Sequence, residues 1–294
     1  MYELIQAGER TYYINCPAKI GIYQISDTEV CLIDSGNDKD AGKKVLRILN
    51  ANNWSLKMIF NTHSHADHIG GNHFLQQQTG CSVYLSGADR AFGEYPVLEP
   101  SFLYGGYPGR ELRNKFLYAQ SSEVRELTED VLPQGMRLLR LDGHSLSMSA
   151  FQTSDDIWFL ADCLTSETVL EKYHVPFLYD AASYIKSLET VKTLEGTLFI
   201  PSHAEPAPDI RPLAEINLKK ISEIIALIKE ICNLEISFED ILKAVFDHYH
   251  LNMDFNQYVL VGSTIRSFLA YLHDSDILSA RFNGNKLYWL TSQG

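Results

Sequence analysis

One histidine- and aspartate-rich segment, NTHSHADHIGGNH at residues 61–73, contains the side chains best suited to chemistry. His63, His65, Asp67 and His68 lie within six positions of each other, in a chain that has ten histidines in 294 residues. Imidazole and carboxylate groups are ligands that zinc prefers in tetrahedral sites. On an extended backbone His63 and His65 point to the same side, whereas Asp67 and His68 follow a turn. The spacing therefore predicts ligands for two adjacent cations, and the alternative is a run of surface or core histidines.

A single segment cannot complete two coordination shells, so other parts of the chain must contribute ligands. Three candidates each follow an apolar run: His144 in LDGHS, Asp162 in FLADCL and His203 in IPSHAEP. Taken singly, each belongs to a residue type that often caps a loop at the end of a strand. Taken together and in this order, they favour a shared metal site at one edge of a sheet.

The segments around these residues alternate between strand and helix patterns. Helical spacing of apolar residues in DAGKKVLRILNANNW and in the run after His68 predicts helices, and a loop followed by a helix is predicted for KYHVPFLYDAASYIKSLETVKTL. The alternation favours an α/β core with mixed sheets. The predicted strands are TYYIN, IGIYQI, VCLID, LKMIFNTH, CSVYLS, MRLLRLDGH, SMSAFQT, DIWFLADCL and TLFIPSHAEP.

Two regions depart from this alternation of strands and helices. Residues 92–120 are rich in Tyr, Phe, Pro and Gly and are predicted to form an irregular insertion. The proline-rich EPAPDIRP separates a domain at 1–208 from a domain at 209–294. The second domain has three amphipathic helices and a hairpin with its turn at residues 283–285. This order predicts a helical, winged-helix-like domain.

Composition narrows the classes of function. The net charge is −12 and the isoelectric point is about 5.3, which argues against a protein that neutralises nucleic-acid phosphates. No window is apolar enough to span a membrane, and the first residues do not resemble a secretion signal. The five cysteines are widely scattered, which favours a reduced, cytoplasmic protein. A small-molecule substrate is therefore expected, and a homodimer is left open.

The series His63-x-His65-x-Asp67-His68, followed by His144, Asp162 and His203, resembles the metallo-β-lactamase superfamily. The resemblance covers roughly residues 10–205 and is strongest to the glyoxalase II-like hydrolases. It implies an αββα sandwich with a two-metal site at the edge of its sheets. It also implies which residues hold each ion: His63, His65 and His144 the first, Asp67, His68 and His203 the second, and Asp162 both.

The resemblance extends to a reaction. Two divalent ions, zinc first and iron or manganese otherwise, would share a hydroxide that attacks a thioester, ester, lactone or phosphoester bond. Asp67 would accept a proton as the intermediate collapses. Asp34 in CLIDSG matches an acidic residue of the family that orients a ligand, although a plain turn residue is the alternative. His73 matches no ligand position and is predicted to be structural.

Substrate contacts are predicted outside the ligand set. Tyr104 and Tyr107 would act through a lid formed by the insertion, with a hinge at Gly105–Gly106. The insertion would otherwise pack on the body or make a dimer contact. Tyr173 and His174 lie on the loop after the bridging aspartate, where relatives present substrate contacts.

Three alternatives to a small-molecule hydrolase remain open at this point. A metal-dependent phosphodiesterase or ribonuclease would use the winged-helix-like region, but residues 214–294 hold seven basic and ten acidic residues, a net charge of −3. That balance favours a region that buttresses the cleft or mediates dimerisation. A persulfide dioxygenase-type enzyme would use a single iron with fewer ligands. A non-enzymatic binding protein would not need the complete ligand set.

Overall fold

The computed structural model describes residues 2–292. A seven-stranded sheet forms the first layer of strands, with neighbours in chain order from β1 to β7. The pairs from β1 to β4 are antiparallel, and those from β4 to β7 are parallel. These strands are β1 (Glu3–Gln6), β2 (Thr11–Asn15), β3 (Ile20–Gln24), β4 (Glu29–Ile33), β5 (Ser55–Phe60), β6 (Ser82–Leu85) and β7 (Val124–Glu126).

A four-stranded sheet in the order β11-β10-β9-β8 faces the first. Its strands are β8 (Arg137–Arg140), β9 (Ser149–Gln152), β10 (Ile157–Thr165) and β11 (Leu198–His203). One apolar cluster joins the inner faces of the two sheets, with Phe60 from the first and Phe151, Phe159 and Ile200 from the second. Removal of this surface from water, at about 25 cal/mol per Å², holds the two sheets together.

Helices cover the outer faces of both sheets. In α1, Ala41, Val45 and Leu49 recur at intervals of four and are buried on the first sheet, while Asp38 caps the helix by accepting hydrogen bonds from the next turn. The fold is therefore the predicted αββα sandwich. The helices that precede the C-terminal region are α1 (Lys39–Ala51), α2 (Ala66–Ile69), α3 (Asn72–Thr79), α4 (Asp89–Glu94), α5 (Leu98–Tyr104), α6 (Glu167–Tyr173) and α7 (Ala181–Val191).

The insertion at 92–120 is more regular than its composition indicates. It contains α5 and the end of α4, so the prediction of an irregular segment was wrong there. Pro100 is the third residue of α5, in the first turn, where a residue needs no backbone N–H donor. The helix ends at Gly105, whose φ of 78° is the left-handed conformation common after a helix.

The C-terminal region contains the predicted helices and hairpin. Its elements are α8 (Arg211–Ile231), β12 (Ile236–Ser237), α9 (Phe238–His248), α10 (Phe255–Asp274), β13 (Leu278–Asn283) and β14 (Lys286–Thr291). The three strands pair in the order β12-β14-β13, and Gly284 and Asn285 both have positive φ at the hairpin turn. Among the described helices, none combines the length and the apolar character needed to cross a bilayer.

The C-terminal helices share a hydrophobic core with the second sheet. Ile224 of α8 and Phe268 of α10 are fully buried in the same cluster as Leu164 of β10 and Leu188 of α7. The predicted boundary at 208–209 lies between β11 and α8, and packing continues across it. Within the described residues, most buried apolar side chains beyond residue 209 belong to the same cluster as the second sheet. The two-domain division stays a prediction.

Candidate metal centre

All seven predicted ligands converge at one edge of the two sheets. His63 follows β5 of the first sheet by three residues, Asp162 lies in β10 of the second, and His203 is the last residue of β11. His144 lies in the loop between β8 and β9. Residues separated by up to 140 positions in the sequence therefore surround one small volume, as the order of polar residues after apolar runs predicted.

A first group consists of His63, His65, His144 and Asp162, and each residue directs one ligand atom inward. His65 Nδ1 lies 3.0 Å from His63 Nε2 and 3.0 Å from His144 Nε2. Asp162 Oδ2 lies 3.9 Å from His63 Nε2 and 3.5 Å from His144 Nε2. Four ligands at about 2.0–2.1 Å from a tetrahedral zinc ion lie roughly 3.3 Å apart, so this spacing suits such an ion.

A second group consists of Asp67, His68, Asp162 and His203. His203 Nε2 lies 3.1 Å from Asp67 Oδ2 and 3.2 Å from Asp162 Oδ2. His68 Nε2 lies 3.2 Å from Asp162 Oδ1 and 3.7 Å from Asp67 Oδ2. Asp162 belongs to both groups: its Oδ2 faces His144 of the first group and His203 of the second, and its Oδ1 faces His68. Two cations held here would therefore share this carboxylate.

In His63, His144 and His203, the ring nitrogen that points away from the centre lies within hydrogen-bond distance of an oxygen. Thr62 Oγ1 lies 3.0 Å from His63 Nδ1, and backbone oxygens lie 3.1 Å and 3.0 Å from the Nδ1 atoms of His144 and His203. Metal-binding histidines characteristically donate their other N–H to such an acceptor, which fixes the ring and its tautomer. The two backbone oxygens belong to Phe177 and Pro17.

Asp34 performs this function for His68. Its Oδ2 lies 2.7 Å from His68 Nδ1, and the carboxylate also accepts hydrogen bonds from the backbone N–H and the hydroxyl of Thr62, both at 2.8 Å. Asp34 is 2% exposed and has a φ of 66°. It therefore lies where the sequence predicts an orienting carboxylate, and it also ties the end of β4 to the end of β5.

The polar atoms at the centre fit a bound cation. His68 Nε2 and Asp162 Oδ1 are both buried, and neither makes a hydrogen bond within residues 2–292. Buried polar atoms without partners are costly, because their hydration is lost and not replaced. Nitrogen and carboxylate donors of this kind suit zinc, and also iron or manganese. The residues present therefore fit divalent metal ions.

Burial and neighbouring charge divide the imidazoles into two sets. Desolvation lowers the pKa of His63 far below its usual value, lowers that of His65 to about 3, and also lowers that of His144. These rings therefore stay neutral and keep a free lone pair. Burial acts in the same direction on His68, but the carboxylates of Asp162, Asp67 and Asp34 outweigh it and raise its pKa. The carboxylate of Asp162 raises the pKa of His203 to about 10.

Unusual backbone geometry places two parts of the site. Ala161 has a φ of 53°, and the register between β10 and β11 shifts on both sides of it, next to the shared Asp162. A positive φ in alanine is strained, and such strain clusters at functional sites. At Gly71, a Cβ atom would lie 2.3 Å from the carbonyl oxygen of Ser35, so only glycine allows the histidine segment to lie against the chain after β4.

Two cavities are lined by residues of both ligand groups. A cavity of 230 Å³ reaches from His144, Asp162 and His203 towards α6 and α10. A cavity of 210 Å³ lies on the other side and contains His65, Asp67 and Glu99. Both are lined by Phe177 and Leu260 as well as by His144 and Asp162. Substrate bound in either cavity would contact the ligand groups directly.

The four predicted substrate contacts fall in different surroundings. Tyr173 lines the 230 Å³ cavity. Its neighbour His174 instead stacks on Tyr249 at 4.5 Å, against the C-terminal region. Tyr104 and Tyr107 are 49% and 76% exposed, and Tyr107 accepts a hydrogen bond from Arg113. Their roles in binding substrate, and the lid with its hinge, stay predictions.

Several residues at the site were not predicted from the sequence. Glu99 lies with its Oε1 3.6 Å from His65 Nε2, and burial raises the pKa of its carboxyl to about 8. Gln257, Leu260 and Val261 of α10 line the larger cavity.

His73, which was predicted to be structural, lies outside both ligand groups. Its Nδ1 lies 2.7 Å from the carbonyl oxygen of Ser121.

Comparisons with known proteins agree with this architecture. A protein from Methylococcus capsulatus named hydroxyacylglutathione hydrolase is 48% identical over 46 residues, which are 16% of this chain and 18% of that protein. Matches to three such relatives span between 18% and 28% of their lengths. These short alignments support a glyoxalase II-like relationship, and they do not extend to whole proteins.

Solved structures match over nearly the whole chain. A beta-lactamase domain protein from Burkholderia ambifaria has a TM-score of 0.74 at 15% identity and covers 99% of this chain and 94% of that one. A metallo-beta-lactamase family protein from Thermus thermophilus has a TM-score of 0.72 at 16% identity, with 99% and 98% covered. The model of the metallo-beta-lactamase superfamily matches residues 15–203, the span that contains both ligand groups. The chain therefore belongs to the metallo-beta-lactamase superfamily.

Proposed function

We propose that this protein is a metal-dependent hydrolase that cleaves an ester-like bond, such as a thioester, ester or lactone, in a small-molecule substrate. The observation that carries the proposal is the pair of four-residue ligand groups that share Asp162. Family membership and the names of the partial relatives support the same activity. Two ions are proposed, with zinc as the first choice and iron or manganese as the alternatives.

In this proposal His63, His65 and His144 hold one ion, Asp67, His68 and His203 hold the other, and Asp162 contacts both. When bound, such ions lower the pKa of water towards neutrality and polarise the bond to be cleaved. Hydrolysis then joins the hydroxyl oxygen of water to the acyl carbon. The bond from that carbon to the leaving oxygen or sulfur breaks, and a proton passes to the leaving group.

Asp67 is proposed to carry that proton. It is the most exposed of the four residues in its group, with 40% of its side chain accessible, and it faces the smaller cavity. Burial opposes its ionisation, but the imidazoles of His68 and His203 hold its pKa well below the usual range. An ionised carboxylate that reaches the cavity is able to accept a proton and return it.

The surroundings of the site favour carboxylic esters over phosphodiesters. Within the described residues, the two cavities lined by residues of both ligand groups have no lysine or arginine in their walls. A third cavity, of 290 Å³, reaches Asp67 and is lined by Lys115, whose ammonium group is paired with Asp38. Phosphoryl transfer and nucleic-acid binding generally rely on such cations to contact phosphate oxygens. The winged-helix-like strand order of the C-terminal region is the observation that keeps a phosphodiesterase as the second candidate.

The experiment combines metal analysis with a substrate panel. Metal-free protein would be reloaded with zinc, manganese or iron and tested on thioesters, carboxylic esters, lactones and phosphodiesters. His144→Ala removes a ligand of the first group, and His73→Ala removes a nearby histidine that belongs to neither group. Comparison of the two variants separates the effect of losing a metal ligand from the effect of losing any imidazole.

The proposal expects hydrolysis of at least one carboxylic ester, thioester or lactone by the loaded protein. Activity should fall at least 100-fold in His144→Ala and stay within about threefold in His73→Ala, since removal of a transition-state interaction of a few kcal/mol has effects of that size. Cleavage of phosphodiesters alone would favour the second candidate. Full activity in chelated protein, or in a folded His144→Ala variant, would contradict the proposal.

A further inference from the structure

The larger of the two cavities is predominantly apolar where it leaves the ligand groups. It begins at His144, Asp162 and His203 and extends between the end of β10, α6, the 175–177 segment and α10. Its apolar walls come from four parts of the chain and consist of Leu164, Val169, Val175, Phe177, Leu260 and Val261. An apolar space that opens directly on a reactive centre selects for the group attached to the reacting bond.

The walls hold their shape independently of a ligand. Leu164, Val175 and Val261 are buried, and all three belong to the large core that joins the second sheet to the C-terminal helices. Asn217 of α8 fixes the end of β10, because its side chain accepts a hydrogen bond from Thr165 N–H at 3.0 Å and donates one to Thr165 C=O at 2.9 Å. Preformed walls need no reordering when a ligand binds.

The charge of the lining restricts what the cavity accepts. Within the described residues, Asp162 is the only carboxylate that lines it, and no lysine or arginine does. A charged substituent would therefore lose its hydration without gaining a partner of opposite charge, which is costly. The uncharged polar groups along the walls are few: Thr165, Tyr173 and Gln257.

The volume restricts the size of that group. The cavity measures 230 Å³, and an apolar cavity of about 150 Å³ accommodates benzene. A substituent of about six to nine carbon atoms therefore fills the space. A glutathionyl or nucleotide moiety is larger and carries charges for which this cavity has no partners.

We infer that this cavity binds a compact, uncharged apolar substituent of about six to nine carbon atoms next to the bond that is hydrolysed. The substrate class is then an ester, thioester or lactone with a medium-chain alkyl or an aryl group. This inference rests on the proposed hydrolase function and adds the chemistry of the substrate to it. The more polar half of such a substrate faces the smaller cavity, where Asp67 and Glu99 lie.

Two ester series with matched reactivity test the inference on the metal-loaded full chain. In one, p-nitrophenyl esters vary in the acyl chain from acetyl to dodecanoyl. In the other, acetyl thioesters vary in the alkyl group of the thiol. Each methylene that becomes buried is expected to raise kcat/KM about fourfold in one of the series, with an optimum near six to nine carbons. The increase in kcat/KM is expected to stop at the chain length that fills the cavity.

Variants that fill the cavity from opposite walls test whether the cavity causes the chain-length preference. Val169→Phe narrows it from α6, and Gln257→Phe narrows it from α10. Thr168→Phe adds the same ring to the exposed side of α6 and is the control. Each filling variant should lower the ratio of kcat/KM for hexanoyl to kcat/KM for acetyl at least tenfold. The control should retain the full preference.

Binding of the product acids gives a readout that does not require turnover. Calorimetry should show that hexanoate binds the loaded protein at least tenfold more tightly than acetate, and that Val169→Phe removes the difference. Hydrolysis without any chain-length preference, or a preference that both filling variants retain, would overturn the inference and leave the hydrolase proposal intact. Failure to hydrolyse any member of either series, together with equal binding of both acids, would overturn the inference as well as the hydrolase proposal.

Discussion

Asp34→Asn is the substitution that tests the metal centre most sharply, because it changes one charge and almost no shape. The carboxylate of Asp34 accepts short contacts from His68 Nδ1 at 2.7 Å and from the backbone N–H and hydroxyl of Thr62 at 2.8 Å. Its φ of 66° is a conformation that asparagine adopts more readily than most residues. The variant is therefore expected to fold with its backbone unchanged.

The substitution acts on the proton of His68. An asparagine that keeps its oxygen towards Thr62 N–H turns its amide group towards His68 Nδ1. The amide donates, so Nδ1 must accept, and the ring proton then lies on Nε2. Nε2 is the atom that faces Asp162 and Asp67 in the second group. The variant thus favours the tautomer that has no lone pair for a cation.

Loss of such an orienting partner costs about 10- to 100-fold in metal affinity, which corresponds to roughly 1.4–2.7 kcal/mol. The larger loss should fall on the ion held by Asp67, His68 and His203, because Asp34 contacts His68 directly and reaches His63 of the first group only through the hydroxyl of Thr62. A titration that resolves two binding steps should therefore show one step weakened more than the other.

The assay is a titration of metal-free protein with zinc in competition with a chromophoric chelator, supported by calorimetry. Asp209→Asn makes the same chemical change at an exposed carboxylate that pairs with Arg211, and it serves as the control. If Asp34→Asn is folded and both zinc affinities lie within twofold of the unsubstituted protein, the assignment of Asp34 to the orientation of His68 is wrong.

Three further predictions concern stability. Saturating zinc at about 1,000 times its dissociation constant should stabilise the fold by roughly 4 kcal/mol, seen as a melting temperature that rises with zinc and falls with chelator. Asn217→Ala removes the side chain that binds both backbone groups of Thr165 and should lower the free energy of unfolding by about 2–4 kcal/mol in a denaturant titration. An effect below about 0.5 kcal/mol would contradict this. Burial raises the pKa of Asp89 to about 6 from 3.8, so its protonated form favours the folded state below pH 4, and that advantage disappears as the pH rises from 4 to 6. The stability of Asp89→Asn relative to the unsubstituted protein should therefore increase over this interval by up to about 3 kcal/mol, and a constant difference from pH 4 to pH 7 would refute the assignment.

The strands and the convergence of the ligands were predictable because they depend on local patterns. Short apolar runs bounded by polar residues define β2 to β6 and β8 to β11, and the polar residue after each run identifies the edge at which the site forms. The hairpin turn at Gly284 and Asn285 follows from residue types that tolerate positive φ. The family resemblance supplied the pairing of ligands with ions, which no local pattern shows.

Other features depend on contacts that cannot be inferred from residue type. The carbonyl groups of Phe177 and Pro17 hold two imidazoles, and any residue at those positions has a carbonyl group. Glu99 reaches His65 from an insertion whose composition indicated irregular structure, and the positive φ of Ala161 has no counterpart in alanine's ordinary preferences. His174 and Tyr173 are adjacent in the sequence, yet only Tyr173 lines the cavity, because His174 ends α6 with a φ of 58° and stacks on Tyr249.

The arrangement of α10 indicates why the C-terminal region belongs to the site, although it contributes none of the candidate ligands. Thr264 and Ser267 accept hydrogen bonds from the backbone N–H groups of Leu178 and Ala181. The segment between them donates two hydrogen bonds to the carbonyl of Gly143, next to His144, whose Nδ1 faces the carbonyl of Phe177.

One turn earlier on the same helix, Leu260 and Val261 line the apolar cavity. A displacement of α10 would thus change the orientation of a candidate metal ligand and the shape of the proposed substrate cavity together. Under the proposed function, selection of the substrate and geometry of the metal centre would therefore be linked through α10. The net charge of −3 at residues 214–294 favours such a supporting role of this region over binding of nucleic acid.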